Sequence, residues 1–101
     1  MTPVRWSKWA IDDLNNILAR AASNNPKGAL TISKRIFAAE KTIGMFPRSA
    51  RFNRKTKTYE AVVRGVPFLL IYTLVAQDTI ESALIRAVFH TARDPAAKPG
   101  E

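Results

Sequence analysis

Hydrophobic residues recur at helical spacing in the first half of the chain and alternate with other residues in the second half. After Ser7, apolar residues return every three or four positions, which predicts a first helix with Ser7 as its N-cap. The dipeptide Asn25-Pro26 ends that helix and begins a second one, with Asn25 as N-cap and Pro26 at the first helical position. Gly44 is the residue type that commonly follows a helix end, so the second helix is predicted to stop there. The short connection predicts an antiparallel helical hairpin.

Strand patterns lie on both sides of the predicted hairpin. A short one, residues 3–6, precedes it, and three longer ones follow it at residues 58–64, 68–75 and 80–89. Two short turns connect the last three strands, which are therefore expected to pair antiparallel. The order β-α-α-β-β-β predicts an α+β fold, with the helical hairpin packed on a small, mainly antiparallel sheet. The pattern leaves open which strand lies beside residues 3–6.

The last predicted strand separates into two faces. The set expected beneath the helices is Ala83, Ile85, Ala87 and Phe89. The set expected on the open face of the sheet is Leu84, Arg86, Val88 and His90. Strict alternation places Arg86 and His90 near each other on that open face.

The composition suits one domain with a single modest core. Of the 101 residues, 1–95 are expected to form this domain and 96–101 a flexible tail. The absence of cysteine excludes disulfides and thiolate metal sites, and a single histidine excludes a histidine-rich site, so no cofactor or metal is expected. No apolar run approaches the roughly 20 residues of a membrane helix, and no apolar stretch resembles a signal peptide. These features predict a soluble cytoplasmic protein of bacterial type.

Positive charge exceeds negative charge, with 16 lysines and arginines against 8 acidic residues and a formal net charge of +8. The excess is concentrated between residues 48 and 57, which contain no acidic residue. A solvated basic loop would explain this composition, but its position beside a predicted sheet favours a surface that binds an anionic partner. The residues predicted to contact the target are Arg48, Arg51, Arg54, Lys55, Lys57, Arg64, Arg86 and Arg93.

Candidates for catalysis are few. The chain has no phosphate-binding glycine loop, no nucleophile elbow and no metal-ligand spacing. His90 is the one histidine available for proton transfer, although a histidine that ends a strand more often hydrogen-bonds the backbone. Glu60 lies among cations and is more simply interpreted as an ion-pair partner. The residues therefore favour no catalytic site.

A series of short motifs runs along residues 4–95. They are Trp6-Ser7-Lys8-Trp9-Ala10-Ile11-Asp12-Asp13-Leu14, Asn25-Pro26, Phe46-Pro47 with Arg51, Tyr59-Glu60 with Val62-Val63, Pro67-Phe68-Leu69-Leu70-Ile71-Tyr72, and Val88-Phe89-His90-Thr91-Ala92-Arg93-Asp94-Pro95. In this order and at these spacings they resemble the RelE/ParE superfamily of toxin–antitoxin toxins. The resemblance implies a helical hairpin packed on an antiparallel sheet, and a bacterial growth inhibitor silenced by a cognate antitoxin.

The two branches of this superfamily differ in activity, because RelE-like toxins cut messenger RNA in the ribosome whereas ParE-like toxins inhibit DNA gyrase. The ribonucleases use basic residues on the sheet with Tyr, His or Glu near the last strand. If the protein is a ribonuclease, the resemblance implies Arg64, Arg86 and His90 as its site, since Arg64 and Arg86 occupy comparable positions here, but no tyrosine follows Arg86. His90 and Arg93 form a His-x-x-Arg ending that resembles the ParE branch. The resemblance therefore implies gyrase binding without catalysis. The alternatives are a ribosome-dependent ribonuclease and a nucleic-acid-binding module outside any toxin system.

A cognate antitoxin is the other partner that the resemblance implies. The sheet has more apolar surface than two helices can cover, which predicts an interaction surface, and the net charge of +8 predicts an acidic partner. We expect a 1:1 complex with an antitoxin whose acidic C-terminal segment is disordered when free and folds along the toxin. The residues predicted to contact it are Leu70, Tyr72, Leu84 and Val88.

Overall fold

A five-stranded mixed sheet and two helices form the described part of the computed structural model, residues 1–91. In chain order the elements are β1 (Val4–Trp6), α1 (Lys8–Asn24), α2 (Pro26–Met45), β2 (Arg51–Asn53), β3 (Thr58–Val63), β4 (Phe68–Gln77) and β5 (Ile80–His90). The strand order is β1-β5-β4-β3-β2, with β1 parallel to β5 and the other pairs antiparallel. The predicted α+β architecture is confirmed, and β1 lies at the sheet edge beside β5. The predicted tail, residues 96–101, lies outside the described residues.

Both helices begin where the sequence predicts, because a polar side chain caps each one. Ser7 Oγ accepts a hydrogen bond from the Ala10 N–H at 3.1 Å. Asn25 Oδ1 accepts one from the Lys27 N–H at 3.1 Å, and Pro26 fills the first position of α2. Since each cap satisfies an N–H that the helix itself leaves free, local chemistry determines both start sites.

The predicted end of α2 at Gly44 is wrong, since the helix continues through this residue to Met45. Gly44 is buried against the segment before β1. The Thr2 N–H donates to Gly44 O at 2.8 Å, and a Cβ on Gly44 would lie 3.2 Å from Thr2 O. The absence of a side chain at Gly44 therefore allows two backbone segments to approach closely, and the residue does not end the helix in a left-handed conformation.

The sequence pattern misses one strand, β2. It pairs antiparallel with β3 through Arg51 with Glu60, Phe52 with Tyr59 and Asn53 with Thr58. Three residues are too few for an alternating pattern to be recognised, and these lie in a basic, mostly polar segment. β2 is a strand because β3 lies beside it, which a local pattern does not reveal.

The hydrophobic core lies between the helices and one face of the sheet, here called the helix face. Its largest fully buried side chains are Tyr72, Ile43, Leu70, Ile85 and Val63. α1 packs mainly on β5, and α2 packs on β3 and β1. Within residues 1–91, neither helix has the length and apolarity needed to cross a membrane.

An extra residue in β5 interrupts the alternation of its side chains. Ile71 of β4 pairs with Ala87, but the next residue, Tyr72, pairs with Ile85. Arg86 therefore has no partner on β4 and forms a β-bulge. Beyond a bulge of this kind, each following side chain points to the face opposite to the one that strict alternation predicts.

The bulge corrects the predicted faces of the last strand. Val88 belongs to the core cluster on the helix face, and His90 lies on the same face. Ala87 and Phe89 lie on the opposite side of the sheet, here called the open face. The predicted placement of these four residues is wrong, whereas the placement is right before the bulge. Arg86 and His90 are therefore not neighbours.

The cap of α1 and its second turn satisfy the backbone around the bulge. The Ser7 N–H donates to Ile85 O at 2.9 Å, and Ser7 Oγ donates to Arg86 O at 3.3 Å. The Val88 N–H donates to Asp13 Oδ2 at 3.0 Å. A buried N–H without a partner costs about 1–3 kcal/mol, so α1 stabilises the bulge through Asp13.

Replacement of Asp13 by alanine is expected to lower the free energy of unfolding by about 1–3 kcal/mol, because the partly buried Val88 N–H loses its acceptor. Asp12→Ala is the matched control, since Asp12 is exposed on the same helix and carries the same charge. It should change stability by less than about 0.5 kcal/mol. Urea unfolding followed by circular dichroism measures both variants. Equal losses would mean that the charge near the helix start, and not the bond to β5, causes the effect.

Candidate functional site

The turn between β2 and β3 carries three of the predicted target contacts, Arg54, Lys55 and Lys57, and is here called the basic turn. Asn53 organises it: its Oδ1 accepts a hydrogen bond from the Lys55 N–H at 2.9 Å, and its backbone O accepts one from the Lys57 N–H at 2.7 Å. Lys57 has a left-handed conformation with φ of 58°. All three basic side chains are exposed. A fixed backbone therefore presents three positive charges to solvent.

A buried carboxylate lies beneath this turn. Glu60 of β3 is only 5% exposed, and its Oε2 accepts a hydrogen bond from Asn53 Nδ2 at 3.1 Å. Its Oε1 lies 4.0 Å from Arg51 Nε, and the Arg51 side chain is 77% exposed. Because a buried charge needs partners, Glu60 holds β2 against β3 through both residues. The interpretation of Glu60 as an ion-pair partner agrees with this geometry.

The other predicted target contacts are dispersed. Arg48 forms an ion pair with Glu81 at 2.5 Å, and the hydrogen bond and charge of that carboxylate raise the pKa of Arg48 above its ordinary value. Arg64 follows the opposite end of β3 and lies near Arg35 of α2. Arg93 lies outside the described residues. Among the described members of the predicted set, Arg54, Lys55 and Lys57 share the basic turn, whereas Arg64 and Arg86 lie apart from it.

Arg51 and Arg86 both lie on the open face but do not converge. β3 and β4 separate β2 from β5, so three strand spacings, about 14 Å, lie between the two residues. Arg51 is directed to Glu60, and Arg86 Nε donates to Thr73 Oγ1 at 3.2 Å. In this arrangement the two guanidinium groups do not hold a single phosphate.

His90 lies between α1 and the end of the sheet, on the face opposite to Arg86. Its ring meets Phe68 edge-on with 4.9 Å between centroids, and its buried Nδ1 has no hydrogen-bond partner among the described residues. Arg64, Arg86 and His90, the set expected of a ribonuclease, therefore occupy three separate places. Residues 1–91 also contain no cluster of three or more His, Cys, Asp or Glu side chains that would hold a metal ion.

The residues predicted to contact an antitoxin are mostly in the core. Leu70 and Tyr72 are fully buried, so neither is available to a partner in this fold, and their assignment is corrected. Val88 is nearly buried beside a cavity of 340 Å³ between α1 and the sheet. Leu84 is half-buried on the open face. Leu70 and Tyr72 of β4 point to the helix face, and the bulge in β5 turns Val88 to that face too.

Exposed apolar side chains lie elsewhere, and sequence reasoning did not assign them to a partner. They include Trp9, Phe37, Phe46, Val62 and Ile80. Val62 is 70% exposed, and its position was readable from the alternation of β3, in which it points away from the core residue Val63. An apolar residue there has no core to join, which is a signal for an interaction surface.

A row of aromatic rings connects the core to the edge strand. Tyr72 stacks on Tyr59 with 5.2 Å between centroids, and Tyr59 meets Phe52 of β2 at 4.9 Å. The Tyr72 hydroxyl donates to Pro47 O at 2.6 Å. Burial, and secondly the neighbouring Tyr59, raises the pKa of Tyr72 from 10.0 to about 12.

Because burial disfavours the tyrosinate of Tyr72, stability is expected to fall as the pH rises from 10.0 toward about 12. The unfolded chain loses this proton near the lower value and the folded protein near the higher one. The contribution is therefore complete below pH 10.0 and is lost across that interval. Urea unfolding at increasing pH should show a smaller loss in Tyr72→Phe than in the wild type. An identical loss in both would assign the alkaline effect to other groups.

Comparison with known proteins gives one family model that matches most of the chain. The family model for the ParE toxin of the type II toxin-antitoxin system parDE matches residues 4–95. A solved structure of the chromosomal ParDE toxin-antitoxin system from P. aeruginosa is similar, with a TM-score of 0.73 and 16% sequence identity. The match covers 89% of this chain and 96% of that one, and at this identity it supports the fold alone. Curated protein sequences give no significant match.

Proposed function

The chain belongs to the ParE toxin family of type II toxin-antitoxin systems, and we propose that it inhibits bacterial growth by binding DNA gyrase in the cytoplasm. In this proposal the protein acts by binding, and it neither breaks nor forms a bond. The observation that carries the proposal is the separation of Arg64, Arg86 and His90, which leaves the described residues without a convergent acid–base set. This separation supports action by binding.

The basic turn is the surface that we propose for the target. Its three side chains are exposed and lie outside the ion pairs found in residues 1–91, whereas Arg48 and Arg51 each have an acidic partner. Unpaired charges on a fixed backbone attract an anionic surface without first breaking an internal bond. Phe52, beside the turn, is also exposed and supplies apolar contact area.

Charge reversal of the basic turn, as Arg54→Glu/Lys55→Glu/Lys57→Glu, is expected to weaken inhibition of DNA supercoiling by purified gyrase. The concentration for half-inhibition should rise by at least about tenfold, because three attractive contacts become repulsive. The matched control is Lys27→Glu/Lys34→Glu/Lys41→Glu, which changes the net charge equally on exposed positions of α2. It should shift the same concentration by less than about threefold.

Cleavage of messenger RNA on programmed ribosomes is the parallel assay for the rival activity. Cleavage by the wild type, together with unaffected supercoiling, would replace the gyrase proposal by a ribosome-dependent ribonuclease. His90→Gln serves as a check within both assays. A folded His90→Gln protein that has lost all toxicity would also contradict a mechanism based on the basic turn. Binding to nucleic acid alone, without effect in either assay, would favour a module outside any toxin system.

We also propose that a cognate antitoxin neutralises this chain in a 1:1 pairing. Membership of a toxin-antitoxin family supports the existence of such a partner. The net charge of +8 supports an acidic binding segment, and the exposed apolar side chains of the toxin support anchors that this segment buries. A segment of this composition is disordered when free and orders on binding.

Raising the salt concentration from low to physiological is expected to slow association of the antitoxin markedly and to change its dissociation little. Opposite net charges accelerate the encounter, and salt screens them, whereas buried apolar anchors control the lifetime of the complex. Surface plasmon resonance with immobilised antitoxin measures the two rates separately. Strongly faster dissociation in salt, with constant association, would mean that exposed ion pairs hold the complex together.

A further inference from the structure

A cleft of 190 Å³ lies between the C-terminal half of α2 and the outer edge of β3, and neither the basic turn nor the core accounts for it. Its apolar wall includes Ala38, Ile43 and Phe46, and Phe46 is largely exposed. Arg35 and Arg64 lie at its rim. The cleft therefore combines an apolar interior with two positive charges.

The side chain of Arg35 lies against the turn that follows β3 and Arg64. Gly65 has φ of 81°, and a Cβ there would lie 3.3 Å from Arg35 Nε, so the guanidinium group lies over the glycine backbone, beside Arg64. Neither arginine has a carboxylate within ion-pair distance among residues 1–91. A carboxylate that enters the cleft would supply the counter-charge that both arginines lack, and an arginine–carboxylate pair forms strong, charge-assisted hydrogen bonds.

The strand beside the cleft is also incompletely paired. β2 pairs with β3 only as far as Glu60, so Ala61–Val63 has β4 on one side and no strand of residues 1–91 on the other. Ala61 and Val62 of this segment line the cleft. A free strand edge offers backbone groups to an extended peptide.

The hydroxyl groups of the cleft do not favour another ligand class. Thr42 Oγ1 donates to Ala38 O at 3.2 Å, and Ser49 Oγ donates to Phe46 O at 2.9 Å, so the guanidinium groups remain the cleft's principal donors. The volume of 190 Å³ is small for a nucleotide or cofactor, since such sites typically enclose about 300–1,000 Å³. It suits one or two side chains of a peptide.

We infer that this cleft receives an acidic, extended segment of the antitoxin. A carboxylate of the segment lies between Arg35 and Arg64, a small apolar side chain enters against Phe46, and the backbone follows the free edge of Ala61–Val63. Charge complementarity selects this occupant, because the cleft has two unpaired guanidinium groups and the whole chain carries a net charge of +8. The inference rests on the proposed antitoxin and specifies where its acidic segment binds.

The test compares two charge-matched double variants of the full chain in binding to the purified cognate antitoxin. Arg35→Glu/Arg64→Glu is expected to raise the dissociation constant by at least about 30-fold, mainly through faster dissociation. Lys27→Glu/Lys34→Glu reverses the same number of charges on exposed positions of α2, one of them next to Arg35. This control should change the constant by less than about threefold.

The outcomes separate the cleft from the proposed antitoxin. Equal weakening in the two double variants would overturn the cleft assignment and leave antitoxin binding intact, since net charge alone would explain the loss. Failure of the wild type to bind would overturn both. Arg35→Gln/Arg64→Gln replaces the glutamate variant if the two glutamates unfold the protein. It is expected to raise the dissociation constant for the antitoxin about tenfold. As a folding control, the thermal unfolding of this glutamine variant must match that of the wild type. If the variant then binds the antitoxin as tightly as the wild type does, the assignment of the antitoxin segment to the cleft is rejected.

Discussion

The β-bulge at Arg86 determines which side chains of the last strand reach the core and which reach the surface. One unpaired residue shifts the register between β4 and β5, and every side chain beyond it changes face. The shift is possible because α1 supplies partners: Ser7 bonds the backbone at Ile85 and Arg86, and Asp13 accepts the Val88 N–H. The same contacts attach the helical hairpin to the sheet. Packing of α1 and the register of β5 therefore depend on each other, since neither satisfies its polar groups alone.

The features of the fold that could be predicted are those that local chemistry determines. The helix starts at Ser7 and Asn25 follow from side-chain caps, and the long strands follow from alternation, so a short window of sequence contains both signals. The wrong predictions concern residues whose conformation depends on a segment that is distant in sequence. Gly44 remains helical because the backbone of Thr2 lies against it, and β2 exists because β3 is beside it. No glycine or proline marks the bulge in the sequence, since an arginine occupies it and its hydrogen-bond partners come from α1.

The candidate sites divide in the same way. Arg54, Lys55 and Lys57 are close in sequence and stay together in space, so the basic turn was predictable from composition. The expected pair of Arg86 and His90 was wrong, because it depended on a register that only the folded sheet defines. The presence of Arg35 and Arg64 at one cleft was not readable from the sequence, since a helix and a strand turn bring together residues that share no motif. Buried Glu60 illustrates the intermediate case: its role as an ion-pair partner was readable, but Asn53 as its second partner was not.

The two proposed surfaces lie at opposite ends of β3, which constrains how an antitoxin neutralises this toxin. Lys57 and Arg64 flank the strand, and seven residue steps in extended backbone correspond to about 23 Å. This exceeds the Debye length of about 8 Å at physiological ionic strength. An acidic side chain in the cleft therefore cancels little of the potential at the basic turn. Neutralisation requires either that the antitoxin extend along the sheet edge to cover the turn, or that its bulk exclude gyrase sterically. In both cases the cleft contributes affinity and register, and the blocking contact lies elsewhere on the antitoxin.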